Sequence, residues 1–273
     1  METKALDKIK PLVSIIMGIY NCAETLEEAV GCIINQTYRN WELIMCDDGS
    51  KDNTYELACE IAKNDSRIVV LKNEKNMTLA PTLNKCASFA KGDYLARMDG
   101  DDLCNRTRLE KEMAIMLAHP EYAIVSSWME TFDENGAYGR VETLERPVGR
   151  NFIYSSQFAH AACIMRKEVF EAVGGYEISS RRERVEDYDL WIRMYQAGYS
   201  GYNLQEVLYS MRDDKNAKRR RNFKNRRNEM LVKIQACSLY GEKFSDYIQP
   251  LLPLIKYLTP DFIYHILHAK RLS

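Results

Sequence analysis

GDYLARMDGDD, residues 92–102, decides how the chain is read. Its first part, DYLARM (93–98), is a short run that reads as a buried strand, with Gly92 closing the segment before it. Its second part sets Asp99, Gly100, Asp101 and Asp102 at that strand's end. Upstream lie three more such runs: LVSIIMGI (12–19), WELIMC (41–46) and RIVVLKN (67–73). Between them stand helix-like segments. In TLEEAVGCIINQ, Leu26, Val30, Ile33 and Ile34 fall near helical spacing. TYELACEIAKN can be capped by Asp52 or Asn53, and LAPTLNKCASFA (79–90) can carry Pro81 in its first turn. Strand–helix alternation at this spacing predicts a parallel sheet with helices on both faces. Ligands of such sheets lie outside the carboxyl ends of the strands. Asp47 and Asp48 follow the second strand, and the Asp99–Asp102 cluster follows the fourth.

Downstream, RTRLEKEMAIMLAHP reads as a helix, AIVSSWME as a strand and DENG as a turn. AACIM (161–165) is a further strand, followed by a short helix ending at Gly174-Gly175. EDYDLWIRMYQAG (186–198) is an amphipathic helix stopped by Gly198. Near residue 212 the composition shifts, which predicts a domain over 1–212 and a helical tail over 213–273, basic and then apolar. No internal repeat is present.

The 273 residues carry 38 Lys plus Arg against 39 Asp plus Glu, with 46% apolar residues, which excludes a mainly disordered chain. The start, METKALDKIK, lacks the apolar core of a secretory signal, and no run of about 18 apolar residues occurs. None of the eight Cys forms C-x-x-C. The expected compartment is cytoplasmic, with reduced, mostly buried thiols.

The carboxylates of Asp99, Asp101 and Asp102 need a cation nearby, and a divalent metal that prefers oxygen ligands and bridges phosphates is the simplest one. An EF-hand starting at Asp99 fails, because Leu103 and Cys104 stand where an oxygen ligand and Gly are required. The competing reading is a helix N-cap, which Asp102 alone would satisfy. For Asp47-Asp48-Gly49-Ser50 the competing reading is a plain turn. No G-x-G-x-x-G follows strand one and no G-x-x-x-x-G-K-[ST] occurs, which disfavours ordinary dinucleotide and P-loop binding.

VSIIMGIYN (13–21), CDDGS (46–50), GDYLARMDGDD (92–102) and VEDYDLW (185–191), in that order, closely resemble the family 2 inverting glycosyltransferases of the GT-A fold. NQTYRNWELI (35–44), HAACIMRKEVFEAVGGY (160–176) and EVLYSMR (206–212) match as well, so the resemblance covers about four fifths of the chain. It implies an α/β fold with a mixed sheet flanked by helices and a C-terminal helical tail. It also implies a nucleotide-sugar donor, in most relatives a UDP-sugar, and Mn2+ or Mg2+ as cofactor. Carried over residue by residue, Tyr20 lines the uracil pocket, Asp48 accepts the uracil imide N–H and Asp47 supports the same turn. Asp99 contacts the ribose or diphosphate, Asp101 binds the metal, and Asp187 of the Glu186-Asp187 pair is the general base. The other reading of that pair is helix N-terminal carboxylates complementing the macrodipole. His160 is a candidate for the acceptor or diphosphate side. Where many relatives carry a metal-side His after EVLYSMR, this chain has MRDDKNA, and Asp214 takes the place.

The Gln-x-x-Arg-Trp signature of processive synthases is missing, which implies addition of one sugar to a hydroxyl of a glycan or lipid-linked acceptor, in bacterial surface polysaccharide synthesis. Two alternatives are a sugar-nucleotide pyrophosphorylase, which would want a Gly-rich basic loop where GIYNC stands, and a catalytically degenerate binding module. KRRRNFKNRR (218–227) holds seven basic residues in ten but lacks an aromatic readout module, so no nucleic-acid partner is expected. With the apolar segments up to residue 272 it has two readings. One is peripheral contact with the inner face of a membrane. The other is packing on the catalytic domain or on a second copy, as a homodimer.

Overall fold

The computed structural model describes residues 10–212 and 222–258. Four parallel strands form one half of the sheet: β1 (Val13–Ile19), β2 (Trp41–Asp47), β3 (Ile68–Lys72) and β4 (Tyr94–Arg97), in the order β3-β2-β1-β4. The register sets Ile19 beside Asp47 and Ile16 beside Arg97, so β2 and β4 end on either side of β1. The other half is mixed. It contains β5 (Leu103–Cys104), β6 (Tyr122–Asp133), β7 (Gly136–Val141), β8 (Ile164–Arg166) and β9 (Ser200–Arg212). From β4 the order continues β8-β6-β9-β5, and β7 pairs with the outer part of β6. β8 is antiparallel to both β4 and β6, while β6 and β9 run parallel.

Because strand side chains alternate between faces, β1 feeds two cores. Val13, Ile15, Met17 and Ile19 pack under α1 (Leu26–Ile34), α2 (Thr54–Asn64) and α4 (Arg108–Ala118). Ile16 faces α3 (Leu79–Phe89) on the opposite side, where α6 (Glu186–Gln196) adds Leu190, Trp191 and Met194. Gly92, before β4, is fixed by close approach, since a Cβ there would sit 2.3 Å from the Leu12 carbonyl oxygen. A short helix, α5 (Lys167–Ala172), follows β8.

The described part of the tail packs on the body. α7 (Phe223–Tyr240) sends Val232, Ala236 and Cys237 into the core that holds Trp191 and Phe152. After α7 a 3-10 segment, Phe244–Leu251, leads into α8 (Leu252–Leu258). The buried carboxylate of Asp246 accepts hydrogen bonds from Arg150, from Tyr154 Oη and from the backbone N–H groups of Glu242 and Lys243. Among the described residues no helix is long and apolar enough to cross a membrane.

Candidate active site

The site lies where β1, β2 and β4 end. Past β1 the backbone turns at Asn21, whose φ of 49° is left-handed. Its N–H donates to Ser50 Oγ, and its side-chain oxygen accepts from the N–H of Lys51 at 2.7 Å, tying the ends of β1 and β2 together. Tyr20 stands at this junction, 45% exposed. Asp47 is buried and accepts from the N–H of Ser50, so it shapes the turn. The Asp48 carboxylate accepts from Asn73 Nδ2 at 2.9 Å and from the N–H groups of Met77 at 2.7 Å and Thr78 at 3.0 Å. Two of these donors reach Oδ1 and one reaches Oδ2, which leaves Oδ2 one acceptor site.

On the other side of β1, Arg97 is wholly buried and its Nη1 donates to Asp99 Oδ1 at 2.6 Å. Tyr209 of β9 accepts from the N–H of Asp99 and donates its hydroxyl to Asp102 at 2.9 Å. Arg212, at the end of β9, donates its N–H to Asp102 at 2.8 Å and its Nε to the Asp101 carbonyl at 2.9 Å. Asp102 is therefore a strut between β4 and β9. The competing reading, Asp102 as a helix cap, does not hold, because the turn before α4 is closed by Asn105 Oδ1, which accepts from the N–H of Thr107. Burial, then the charges of Asp99 and Asp101, raise Asp102 to about 7.

Glu186 and Asp187 open α6. Burial, and next the charge of Glu186, push Asp187 up to about 7, while Arg97 pulls it the other way. Glu186 is also raised by burial. His160, in a 3-10 turn (His160–Ala162), has its Nε2 2.7 Å from Tyr176 Oη and its ring edge-on to Trp191. Burial, and then the Arg97 charge, hold His160 well below its ordinary range, so its imidazole is neutral. Arg97 thus lies within electrostatic reach of Asp99, His160, Glu186 and Asp187. Asp101 lies within reach of Cys22, two residues past Tyr20, and Thr25 Oγ1 donates to the Gly100 carbonyl. Arg97 therefore links Asp99 to His160 and the Glu186-Asp187 pair, while the contacts of Asn21, Cys22 and Thr25 link the end of β1 to those of β2 and β4. Asp214 falls outside the described residues.

Residues 14–174 match the model of glycosyl transferase family 2. The chain belongs to this family. It is 42% identical over 262 residues to EpsE of Bacillus subtilis (strain 168), a protein named as a glycosyltransferase, covering 96% of this chain and 94% of EpsE. It is 30% identical over 198 residues to the Escherichia coli WfaP, named UDP-Glc:alpha-D-GlcNAc-diphosphoundecaprenol beta-1,3-glucosyltransferase, covering 72% of this chain and 75% of WfaP. The mannosyltransferase PcManGT of Pyrobaculum calidifontis, solved with GDP-Man and Mn2+, superposes with a TM-score of 0.65 at 20% identity. That match covers 90% of this chain and 69% of the solved one, and it shows the GT-A fold.

In this family 2 glycosyltransferase, four residues at the site escaped sequence reasoning: Asn73, Arg97, Tyr209 and Arg212. Arg97 left a signal as a charge inside an otherwise buried strand, and Tyr209 and Arg212 lie in the EVLYSMR stretch without a role assigned there. The residues present fit a divalent cation. Arg97 balances Asp99, and Asp102, raised by burial first and then by the charges of Asp99 and Asp101, is held by Tyr209 and Arg212. Among the described residues no group of three or more His, Cys, Asp or Glu could hold a metal. That donor set suits an ion bound through one or two carboxylates and completed by phosphates and water.

Proposed function

We propose that this glycosyltransferase transfers a single sugar, with inversion and with a divalent metal, from a nucleotide-sugar to a hydroxyl of a glycan or lipid-linked acceptor. The donor is a UDP-sugar and the setting is bacterial cell-surface polysaccharide synthesis. One observation carries this reading. Asp187, a desolvated carboxyl raised to about 7, shares the field of Arg97 with Asp99 at the acidic strand end. A base with a pKa near the working pH suits abstraction of a hydroxyl proton.

In this reading Tyr20 lines the uracil pocket and Asp48 Oδ2 accepts the imide N–H, held in place by Asn73, Met77 and Thr78. Asp47 supports the turn, and Asp99, anchored by Arg97, meets the ribose or diphosphate. Asp101 would hold Mn2+ or Mg2+, which when bound stabilises charge developing on the diphosphate. Asp187 takes the proton of the acceptor hydroxyl while that oxygen bonds to C1 from the face opposite the departing UDP. The C1–diphosphate bond breaks, and its electron pair leaves with UDP. One displacement inverts the centre, so an α-linked UDP-hexose gives a β-linkage. Glu186 keeps the Asp187 carboxyl near neutrality, and His160 serves the acceptor or diphosphate side as a neutral ring.

WfaP's name, a β-1,3 transfer from UDP-Glc to a diphosphoundecaprenol-linked sugar, supports the donor, the linkage sense and the lipid-linked acceptor. PcManGT, solved with Mn2+, supports the metal. Residues 1–212 carry the chemistry, and 213–273 form the tail. The enzyme works in the cytoplasm. The test is UDP release from a panel of UDP-sugars with Mn2+ and acceptor fractions. Wild type should turn over with one donor and Asp187→Asn should not. Equal release by both would remove Asp187 as the base.

A further inference from the structure

The segment Phe244–Leu258 presents one apolar face to solvent. Phe244, Tyr247, Ile248, Leu251, Ile255 and Leu258 recur at three- and four-residue intervals, and exposure reaches 84% at Phe244 and 78% at Leu258. The opposite face is spent on the protein: Asp246, Pro250 and Pro253 are buried. Solvent-facing apolar side chains aligned over this length are not needed for the fold. Phe223, the first residue of α7, meets Tyr257 of α8 edge-on at 5.8 Å. That contact brings the basic first turns of α7 to the far end of the stripe. Arg227 is exposed there, and Lys243 is exposed beside Phe244 at the near end.

Charge decides the occupant. Across 222–258 the sequence holds six Lys or Arg and three Asp or Glu; Lys224 and Arg226 pair with Glu183 and Glu229, and Lys233 is buried against the Tyr154 carbonyl. All three acids already face an arginine: Glu229 pairs with Arg226, and Glu242 and Asp246 pair with Arg150. The exposed cations left at this surface among the described side chains are Arg227 and Lys243, and a second copy would set the same two cations against them. A single helical face is also narrow beside the roughly 800 Å² that a stable partner buries. We infer that the exposed face of residues 244–258, flanked by Arg227 of α7 and Lys243, docks on an anionic lipid surface. Apolar side chains enter the headgroup boundary and Lys and Arg meet the lipid charge, as in interfacial helices. The same end of α7 holds the loop that leads to Asp187. Asn228 donates to the carbonyls of Ser180 and Glu183, and Lys224 pairs with Glu183 at 2.5 Å. A docked enzyme would thus hold its proposed base loop beside the lipid surface. This surface does not depend on the catalytic assignment.

The experiment is flotation of the full chain with phosphatidylcholine vesicles, with and without phosphatidylglycerol. Binding to the phosphatidylglycerol vesicles, weakened by salt, is expected. Phe244→Ser with Leu251→Ser and Ile255→Ser should lower partitioning at least tenfold with the thermal midpoint unchanged. Arg227→Glu and Lys243→Glu should each lower it about fivefold or more. No binding by wild type, equal binding to neutral vesicles, or equal binding by the triple variant would each overturn the inference. So would a wild-type dimer in sedimentation that the triple variant loses.

Discussion

Arg97 donates to Asp99 at 2.6 Å from a position with 1% of its surface exposed, while the Asp99 side chain remains 30% exposed. The cation is fixed inside the sheet and the carboxylate reaches solvent at the strand end. Arg97 ties the end of β4 both to the acidic cluster and to the start of α6. Replacing Arg97 by Met should free Asp99 and leave it uncompensated. Removing one partner of a buried pair costs about 3–5 kcal/mol; partial exposure of Asp99 puts this case nearer 2. Urea unfolding should show that loss, and UDP titration should show weakened binding. Arg97→Lys should restore part of the stability but less of the binding, because an ammonium lacks the planar fork. Wild-type affinity in both variants would refute the positioning role.

Asp187→Asn should lower turnover by about a hundredfold to ten-thousandfold, the usual contribution of a positioned base. The pH profile gives the sign. A base must be ionised, and burial with the Glu186 charge places the Asp187 titration near 7. The log of kcat/KM should therefore climb with unit slope below neutrality and level off above it. Glu186→Gln removes a charge that raises Asp187, so the limb should move to lower pH. A profile flat through the neutral range would exclude Asp187.

Much of this was legible beforehand. β1 to β4 lie between two helical layers, so each is a short apolar run and the alternation could be counted. The carboxylates at their ends stood out because nothing apolar explains them. β9 was legible only in its second half, EVLYSMR (206–212); in its first half Tyr202 and Leu204 alternate with Asn203 and Gln205, but the polar Asn203 is the side chain that is buried. Asn203 is buried there only because its amide donates to the carbonyls of Leu144 and Gln157. The strut role of Asp102 was hidden for a related reason. Its partners, Tyr209 and Arg212, are over 100 residues away, and local spacing offers a cap instead.

Asp101→Ala should abolish the Mn2+-dependent part of nucleotide binding and leave the metal-free part. Isothermal titration with UDP, with and without Mn2+, separates the two. Asp102→Asn should behave differently. Its carboxyl bridges Tyr209 and Arg212, so the cost should appear in stability first and in metal dependence second. Equal loss of metal dependence in both variants would show that Asp102 also ligates.

The tail is held to the body by Asp246, which collects Arg150, Tyr154 and two backbone N–H groups. The hydrogen bonds from Arg150 and the backbone hold its carboxyl below the usual range. A depressed carboxylate contributes stability above its unfolded value, about 3.9, and loses it as the pH falls through the folded value. Asp246→Asn keeps the volume but accepts fewer of these bonds, so it should lower the thermal midpoint at neutral pH. The gap to wild type should narrow in acid, where the wild-type carboxyl protonates. Arg150→Met should give the same neutral-pH loss, and the double variant should lose less than the sum, because both changes remove one contact. Strict additivity would show that the two side chains stabilise the tail independently.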